Sequence, residues 1–453
     1  MFCLVSEDAV FLNLHSTPSV CMLFCNDVGD FSVSASLYKS TPLASLQHPP
    51  FFCIVFTTMA NLFARPTPPK TKLGWHRQLS PTAGVHVSPI ALGAMSIGDK
   101  WDEFGMGTMD KESSFKLLDA FYEAGGNFID TANNYQDETS EEFIGEWMEK
   151  RGIRDQMVIA TKFTTNFKRG KDSILLKDAY TGNNLKSMHI SLEASLKKLR
   201  TSYVDILYVH WWDYTTGVEE VICGLDRLVQ QGKVLYPGVS DTPAWVVSKA
   251  NTYAKLMGKT PFVIYQGAWN ILSRDFEREI LPMARDQGMA LAPWNVLAAG
   301  KIRTDAEEEK RRQTGEKGRM MMASGWERNE DERKMSQALE KVAKEIGAKG
   351  INAVAIAYVM QKAPYVFPII GGRKVEHLMQ NIEALEIQLE DRHVKMLESV
   401  LPFDIGFPMN QFGDGQGYSM LYQNAGYFEK WPMQGSIKPL SNDEALAEAR
   451  EAH

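Results

Sequence analysis

The chain has 453 residues, 44% of them hydrophobic and 23% charged, enough to build a large core in one big domain or two medium ones. Its net charge of -7, with no Lys/Arg block able to track a phosphate backbone, argues against nucleic acid as a partner. Four of the five cysteines (Cys3, Cys21, Cys25, Cys53) lie at the start and only Cys223 follows, so the body is as cysteine-poor as expected in a reducing, cytoplasmic compartment, and no Cys/His cluster suggests a metal.

Residues 1–58 read differently from the rest. They hold one basic residue, Lys39, against four acidic ones, so they lack the Lys/Arg region of a signal peptide and the arginines of a presequence. The patch FFCIVF at 51–56 is too short to span a bilayer, and no membrane partner is expected. From Met59 the text turns Pro/Lys-rich and then periodic. The expectation is a poorly ordered or artefactual extension over 1–58, with Met59 as the functional start.

Eight short apolar runs then alternate with helical patterns: PIALGAM (89–95), NFID (127–130), MVIATK (157–162), VDILYVH (204–210), VLYPGVS (234–240), FVIYQ (262–266), MALAPW (289–294) and YVFPIIG (365–371). Asp110 is placed to cap the helix that ends at Gly125 and Gly126. Thr139 and Glu142 have capping-box spacing, and Thr242 with Pro243 has the form of an N-cap and first helical residue. Buried strands separated by helices pair in parallel through right-handed crossovers, and eight such units make an α/β fold, the closed (β/α)8 barrel. A doubly wound nucleotide fold needs a G-x-G-x-x-G turn that is nowhere present. Tyr358 and Lys362 match a Y-x-x-x-K pattern, but on a helix where an aromatic is more readily core packing.

In such a barrel the site lies at the C-terminal ends of the strands. Those ends carry Asp130, Lys162, His210, Ser240 with Asp241, and Gln266, and Tyr135 follows Asp130 by five residues. A phenol is a poor acid at neutral pH, and a neighbouring ammonium would lower its pKa. Asp130 would keep Lys162 charged, and His210 would hydrogen-bond a substrate oxygen. The set suits protonating an oxygen while a carbonyl carbon receives hydride, and it needs no metal. Each residue singly is as readily structural; their arrival on consecutive strands is what points to chemistry.

The motifs FIDTANNY, VIATK, ILYVHWWD, GVSD, IYQGAWN, APW and PIIGGRKVEHLMQNIEAL resemble the aldo-keto reductase superfamily, and within it the fungal aryl-alcohol dehydrogenase branch, which includes ketone reductases of polyketide pathways. The similarity runs from about residue 77 to 405. It implies an NADPH-dependent carbonyl reductase, with Tyr135 as general acid, Lys162 and Asp130 tuning it and His210 orienting the carbonyl. It also implies that Ser240, Asp241 and Gln266 bind the nicotinamide carboxamide, that Trp294 stacks on the ring, and that Gly371, Gly372, Arg373, Gln380 and Asn381 hold the adenosine end, with Arg373 on the 2'-phosphate. Asp241 stands where much of the superfamily has Asn, and His377 where many members have Arg, which leaves NADH possible. A cofactor-binding regulatory subunit on the same fold is the second reading, and the intact tetrad favours the enzyme.

Trp101, Trp211 and Trp212 fall at or past strand ends and would line a cleft for a flat aryl aldehyde or ketone, although rim tryptophans also pack. The connection after the third run is long and is expected to wall the mouth. The charged stretch 301–319 reads as a solvated loop that could fold over bound cofactor. Residues 59–405 are expected to form the barrel, with 406–453 as a tail over its mouth, walling the pocket or partly disordered.

Overall fold

The eight apolar runs become eight parallel strands in the structure, a computed structural model that describes residues 66–439 except 106–107 and 316–324, together with three short strands nearer the N-terminus. Two units divide the chain, Met1–Thr67 and Pro68–His453. In the first, β1 (Cys3–Ser6), β2 (Ala9–Leu12) and β3 (Cys21–Leu23) form an antiparallel sheet in that order. Apart from these strands, the expected extension over 1–58 lies outside the described residues.

The second unit opens with a hairpin, β4 (Arg77–Ser80) and β5 (Ala83–Val87), whose turn contains Pro81. The barrel strands follow: β6 (Ala91–Gly93), β7 (Phe128–Asp130), β8 (Val158–Phe163), β9 (Val204–Val209), β10 (Val234–Ser240), β11 (Ile264–Ala268), β12 (Ala290–Trp294) and β13 (Ile369–Gly371). They pair in chain order from β6 to β12, with β13 beside β6. Leu291 closes the ring by accepting from Phe367 N at 2.8 Å and donating to Tyr365 O at 2.9 Å, a parallel bridge between β12 and the residues leading into β13.

Strand alternation sorts the side chains into two cores. Phe128, Val158, Ala160, Ile206, Tyr208, Ile264, Ala290 and Ala292 fill the barrel interior, and Leu79, Ala83 and Val87 of the hairpin pack into the same cluster. Leu79 and Val87 thereby plug the end opposite the strand C-termini. Ile129, Ile159, Leu207, Val239 and Leu291 point outward into the layer shared with the helices.

Helices α1 (Lys111–Glu123), α2 (Thr139–Arg151), α3 (Leu185–Lys198), α4 (Val218–Gln230), α5 (Ala244–Leu256) and α6 (Ile280–Gln287) connect successive strands. Between β12 and β13 run α7 (Asp305–Thr314), α8 (Glu330–Ile346) and α9 (Ile351–Gln361), and α10 (Val375–Ile382) and α11 (Asp391–Glu398) follow. Asp110 caps α1 as expected, accepting from Ser113 N at 2.8 Å, and Gly125 leaves α1 at φ 101°.

Two expected caps differ. Thr139 is already helical and donates its hydroxyl to Gln136 O at 3.0 Å, because the left-handed turn before α2 puts Glu138, at φ 88°, in the capping position. Thr242 donates its hydroxyl to Ser240 O at 2.8 Å, so Pro243 caps α5 without a side-chain bond. Tyr358 and Lys362 do pack structurally: on the buried α9, the Tyr358 hydroxyl donates to Glu398 at 2.8 Å and Lys362 pairs with the same carboxylate at 2.5 Å. The stretch 301–319, read as a loop, is helical over α7. Thr304 and Glu307 form a capping box there, and buried Glu308 accepts from Arg328 at 2.6 Å and Arg333 at 2.5 Å.

The described part of the tail, expected over the mouth, touches the rest of the second unit at several points. Arg278, just before α6, donates to Asp404 O, and Gln434 and Ser436 donate to the Tyr365 hydroxyl at 3.2 Å and Gln361 O at 3.2 Å. Arg278 follows β11, on the side of the strand C-termini, whereas Tyr365 precedes β13, so by Gln434 the tail has reached the hairpin end of the barrel. Residues 440–453 lie outside the described residues. Eight residues from Phe407 to Trp431 are large, apolar and exposed, Tyr427 and Trp431 among them.

Candidate active site

Inward-facing positions at the upper ends of the strands carry polar groups in place of the apolar interior. Asp130 continues the inward row of Phe128, Lys162 that of Val158 and Ala160, and Gln266 that of Ile264. Lys162 is fully buried, and its three ammonium hydrogens have three acceptors: Asp130 Oδ1 at 2.5 Å, Thr131 O at 2.8 Å and the Tyr135 hydroxyl at 3.3 Å. Gln266 donates to Asp130 Oδ2 at 2.9 Å, so both carboxylate oxygens are held. His210 lies edge-on to Tyr135 with ring centroids 5.9 Å apart, and Trp101 flanks the phenol on another side at 6.1 Å. The structure thus brings the four predicted residues together.

Burial governs their ionisation. It pulls Lys162 down, but Asp130 and Tyr135 more than offset it, so the ammonium ends above its ordinary value. It pushes Asp130 up against the opposing Lys162 and Gln266. Burial also raises Tyr135, and the nearby carboxylates Asp130 and Asp241 add to it; Lys162 opposes both without overcoming them. The expected lowering of the phenol is therefore corrected: Lys162 only restrains the rise, and burial with the two carboxylates keeps the hydroxyl a donor. Burial and the Lys162 charge hold His210 well below its ordinary value, hence neutral.

Thr165, which sequence reasoning passed over, orders the histidine. Its hydroxyl accepts from Trp211 Nε1 at 3.0 Å and meets His210 Nδ1 at 3.1 Å. Donation of the threonine hydrogen to Nδ1 leaves the ring hydrogen on Nε2; this tautomer is assigned from the hydrogen-bond network.

The segment carrying Tyr135 is strained. Gln136, Asp137 and Glu138 all have positive φ (53°, 48° and 88°), a conformation that costs roughly 1 kcal/mol or more per non-glycine residue. Side chains hold it. Buried Gln136 accepts from Lys100 N at 3.0 Å and Trp101 N at 2.9 Å and donates to Met95 O at 3.0 Å. Gly98 makes room, since a Cβ there would stand 2.4 Å from Gln136 Cβ. Asp137 accepts from Trp101 Nε1 at 3.0 Å and Arg169 at 3.1 Å, and Glu138 pairs with Lys168 at 2.7 Å and Lys198 at 3.3 Å. Lys168 and Arg169 come from the long connection after β8, which walls the mouth as expected. No glycine or proline marks this turn in the sequence.

Among the proposed substrate contacts, Trp101 stands beside the phenol and Trp211 is partly exposed at the rim. Trp212 is corrected: it is buried in the layer between strands and helices, because the chain turns outward after His210.

Ser240 and Asp241 end β10. Among the described residues the buried Ser240 hydroxyl has no hydrogen-bond partner, and Asp241 accepts from Trp294 Nε1 at 3.1 Å. Burial pushes Asp241 up to about 6, with the Trp294 hydrogen bond, the adjacent Ser240 and Lys162 opposing. A groove of about 240 Å³ runs across the ends of β12 and β13, lined by Ser96, Asn295, Val296, Leu297, Ala299, Gly300, Arg311 of α7, Gly371, Gly372, Arg373, Lys374 and His377. Ser96 and the stretch after Trp294 went unread in the sequence, while Arg311 belongs to the charged stretch 301–319 that reads as able to fold over cofactor. Gln380 and Asn381 lie further along α10 and do not line this groove. A buried hydroxyl without a partner at one end and a basic groove with two glycines at the other fit a phosphorylated dinucleotide.

Residues 89–402 match the aldo/keto reductase family. The chain belongs to that family. It is 66% identical to "Aryl-alcohol dehydrogenase [NADP(+)]" of Phanerodontia chrysosporium over 382 residues, 84% of this chain and 99% of that protein. It is 52% identical to an aldo-keto reductase of Emericella nidulans over 357 residues (79% of this chain, 89% of the relative). Norsolorinic acid reductase A of Aspergillus parasiticus is 51% identical over 346 residues, 76% of this chain and 85% of that protein.

Proposed function

We propose that this aldo-keto reductase reduces an aryl aldehyde or ketone to its alcohol with NADPH, reversibly, taking the proton from Tyr135. The observation that carries the reading is the contact of one buried ammonium with both the Asp130 carboxylate and the Tyr135 hydroxyl. Bound dinucleotide supplies the hydride, and the balance is carbonyl plus NADPH plus a proton giving alcohol plus NADP+. Tyr135 donates its hydrogen to the carbonyl oxygen as negative charge grows there, and Lys162 stabilises the phenolate left behind. His210, neutral and with its hydrogen on Nε2, donates to the same oxygen.

Ser240 and Asp241 would meet the carboxamide, Trp294 the ring, and Gly371, Gly372 and Arg373 the adenosine phosphate. Gln266 gives one of its two amide hydrogens to Asp130 and would offer its oxygen to the cofactor. Trp101 and Trp211 would wall a flat substrate, in line with the aryl-alcohol dehydrogenase name of the 66% identical relative. A cytoplasmic setting rests on the cysteine-poor body; no helix of the described residues is long and apolar enough to cross a membrane.

The test follows NADPH oxidation with a panel of aryl aldehydes for the wild type and Tyr135→Phe. Turnover should fall by roughly 100-fold or more while NADPH affinity is kept, since the hydroxyl acts on charge that develops only in the transition state. Equal rates would rule the mechanism out.

A further inference from the structure

Apart from the basic groove across the ends of β12 and β13, the charges around the tetrad pair off, with one exception. Asp130 and Lys162 form a buried pair, Asp137 and Arg169 pair at the rim, His210 is neutral and Tyr135 keeps its hydrogen. Asp241 is left over: among the described residues it forms no ion pair, and Lys162 acts on it only through space. Its position is fixed. The backbone sits at φ 42°, the amide donates to Gln266 O at 3.0 Å, and one carboxylate oxygen accepts from Trp294 Nε1.

We propose that Asp241 is a charge-stabilising cofactor contact, whose uncompensated carboxylate favours the positive charge a nicotinamide ring gains as its hydride leaves. The inference rests on the reading above that the ring lies against Trp294 and Ser240. When the hydride pair passes to the carbonyl carbon and the Tyr135 proton to its oxygen, the ring changes from neutral to a cation, while the rest of the dinucleotide keeps its charge. A fixed carboxylate therefore separates the two redox forms, where a neutral amide of the same shape would not. Asp241 makes the bound reduced form a stronger hydride donor, and for the same reason it holds the oxidised product more tightly.

Asp241→Asn is the decisive variant, because the amide oxygen can still accept from Trp294 and the shape is kept. Tryptophan fluorescence titrations of the full chain with NADP+ and with NADPH give both Kd values without turnover. The variant should bind NADP+ about tenfold or more weakly and NADPH within about threefold of wild type, as a charge pair in a site of intermediate dielectric predicts. Product inhibition by NADP+ should weaken in step. If both forms change equally, or neither changes, Asp241 does not act through charge and the inference is overturned while the cofactor reading stands. If the wild type binds neither form, the cofactor reading itself fails, and this inference with it.

Discussion

Replacing Lys162 with Met tests the centre of the site, because a fully buried ammonium is removed from a carboxylate 2.5 Å away and an apolar chain of similar length takes its space. Removing one partner of a buried ion pair costs about 3–5 kcal/mol, most of it the isolation of the other charge. Asp130 keeps Gln266 alone, and burial, already the largest influence on it, pushes its carboxyl further up. Near neutral pH the variant then folds by taking up a proton that the wild type, with Lys162 opposing, does not. With more protons bound in the native state than in the unfolded one, stability rises as pH falls, by about 1.4 kcal/mol per unit. The gap from wild type should therefore shrink from about 3–5 kcal/mol at pH 7 to about 1–2 kcal/mol at pH 5, read from denaturant unfolding at both values. A gap that stays constant between pH 5 and 7 would show that Asp130 does not answer to Lys162, and the account of the tetrad would be wrong. Turnover should stay low across the range, because protonating Asp130 restores the fold and not the ammonium beside Tyr135.

Other outcomes follow from single contacts. Thr165→Val should lower kcat/KM by roughly tenfold by releasing His210 from its tautomer, with Thr165→Ser restoring it; imidazole nitrogen chemical shifts report the tautomer directly, and unchanged shifts would exclude the role. Gly125→Ala should cost at least about 2 kcal/mol in thermal unfolding, since φ is 101° and the new Cβ would lie 2.6 Å from Gly74 Cα. Gly152→Ala, at φ 64° in open space, should cost only about 1 kcal/mol. Tyr358→Phe should lose about 1 kcal/mol of stability and leave turnover intact; a large loss of activity would revive the Y-x-x-x-K pattern as chemistry.

The barrel was legible because each strand had to be buried on both faces, which makes it a short continuous apolar run, and because glycines and caps punctuate the helices between. The tetrad was legible for a related reason: a carboxylate or an ammonium at the end of an apolar run is costly unless the fold gives it a partner, so Asp130 and Lys162 announce each other. The hairpin 77–87 escaped because its two strands are half-exposed and its apolar residues too few to stand out, although RQLSPTAGVHV carries a Pro-containing turn.

What stayed hidden has a common cause. The phenol's net rise, the role of Thr165 and the left-handed run after Tyr135 all depend on which side chains converge from different loops, and no local pattern encodes that convergence. Gln136 makes the point: as a residue it is an ordinary polar letter, yet its buried amide joins the loop of Trp101 to the turn of Tyr135 through three hydrogen bonds and holds three strained residues in place. Strain of that kind persists only when the surroundings over-determine it. Here the surroundings are Met95, Lys100, Trp101, Lys168, Arg169 and Lys198, drawn from two connections and the end of α3, so the precision of the proton donor is a property of the assembled mouth rather than of the motif that contains the tyrosine.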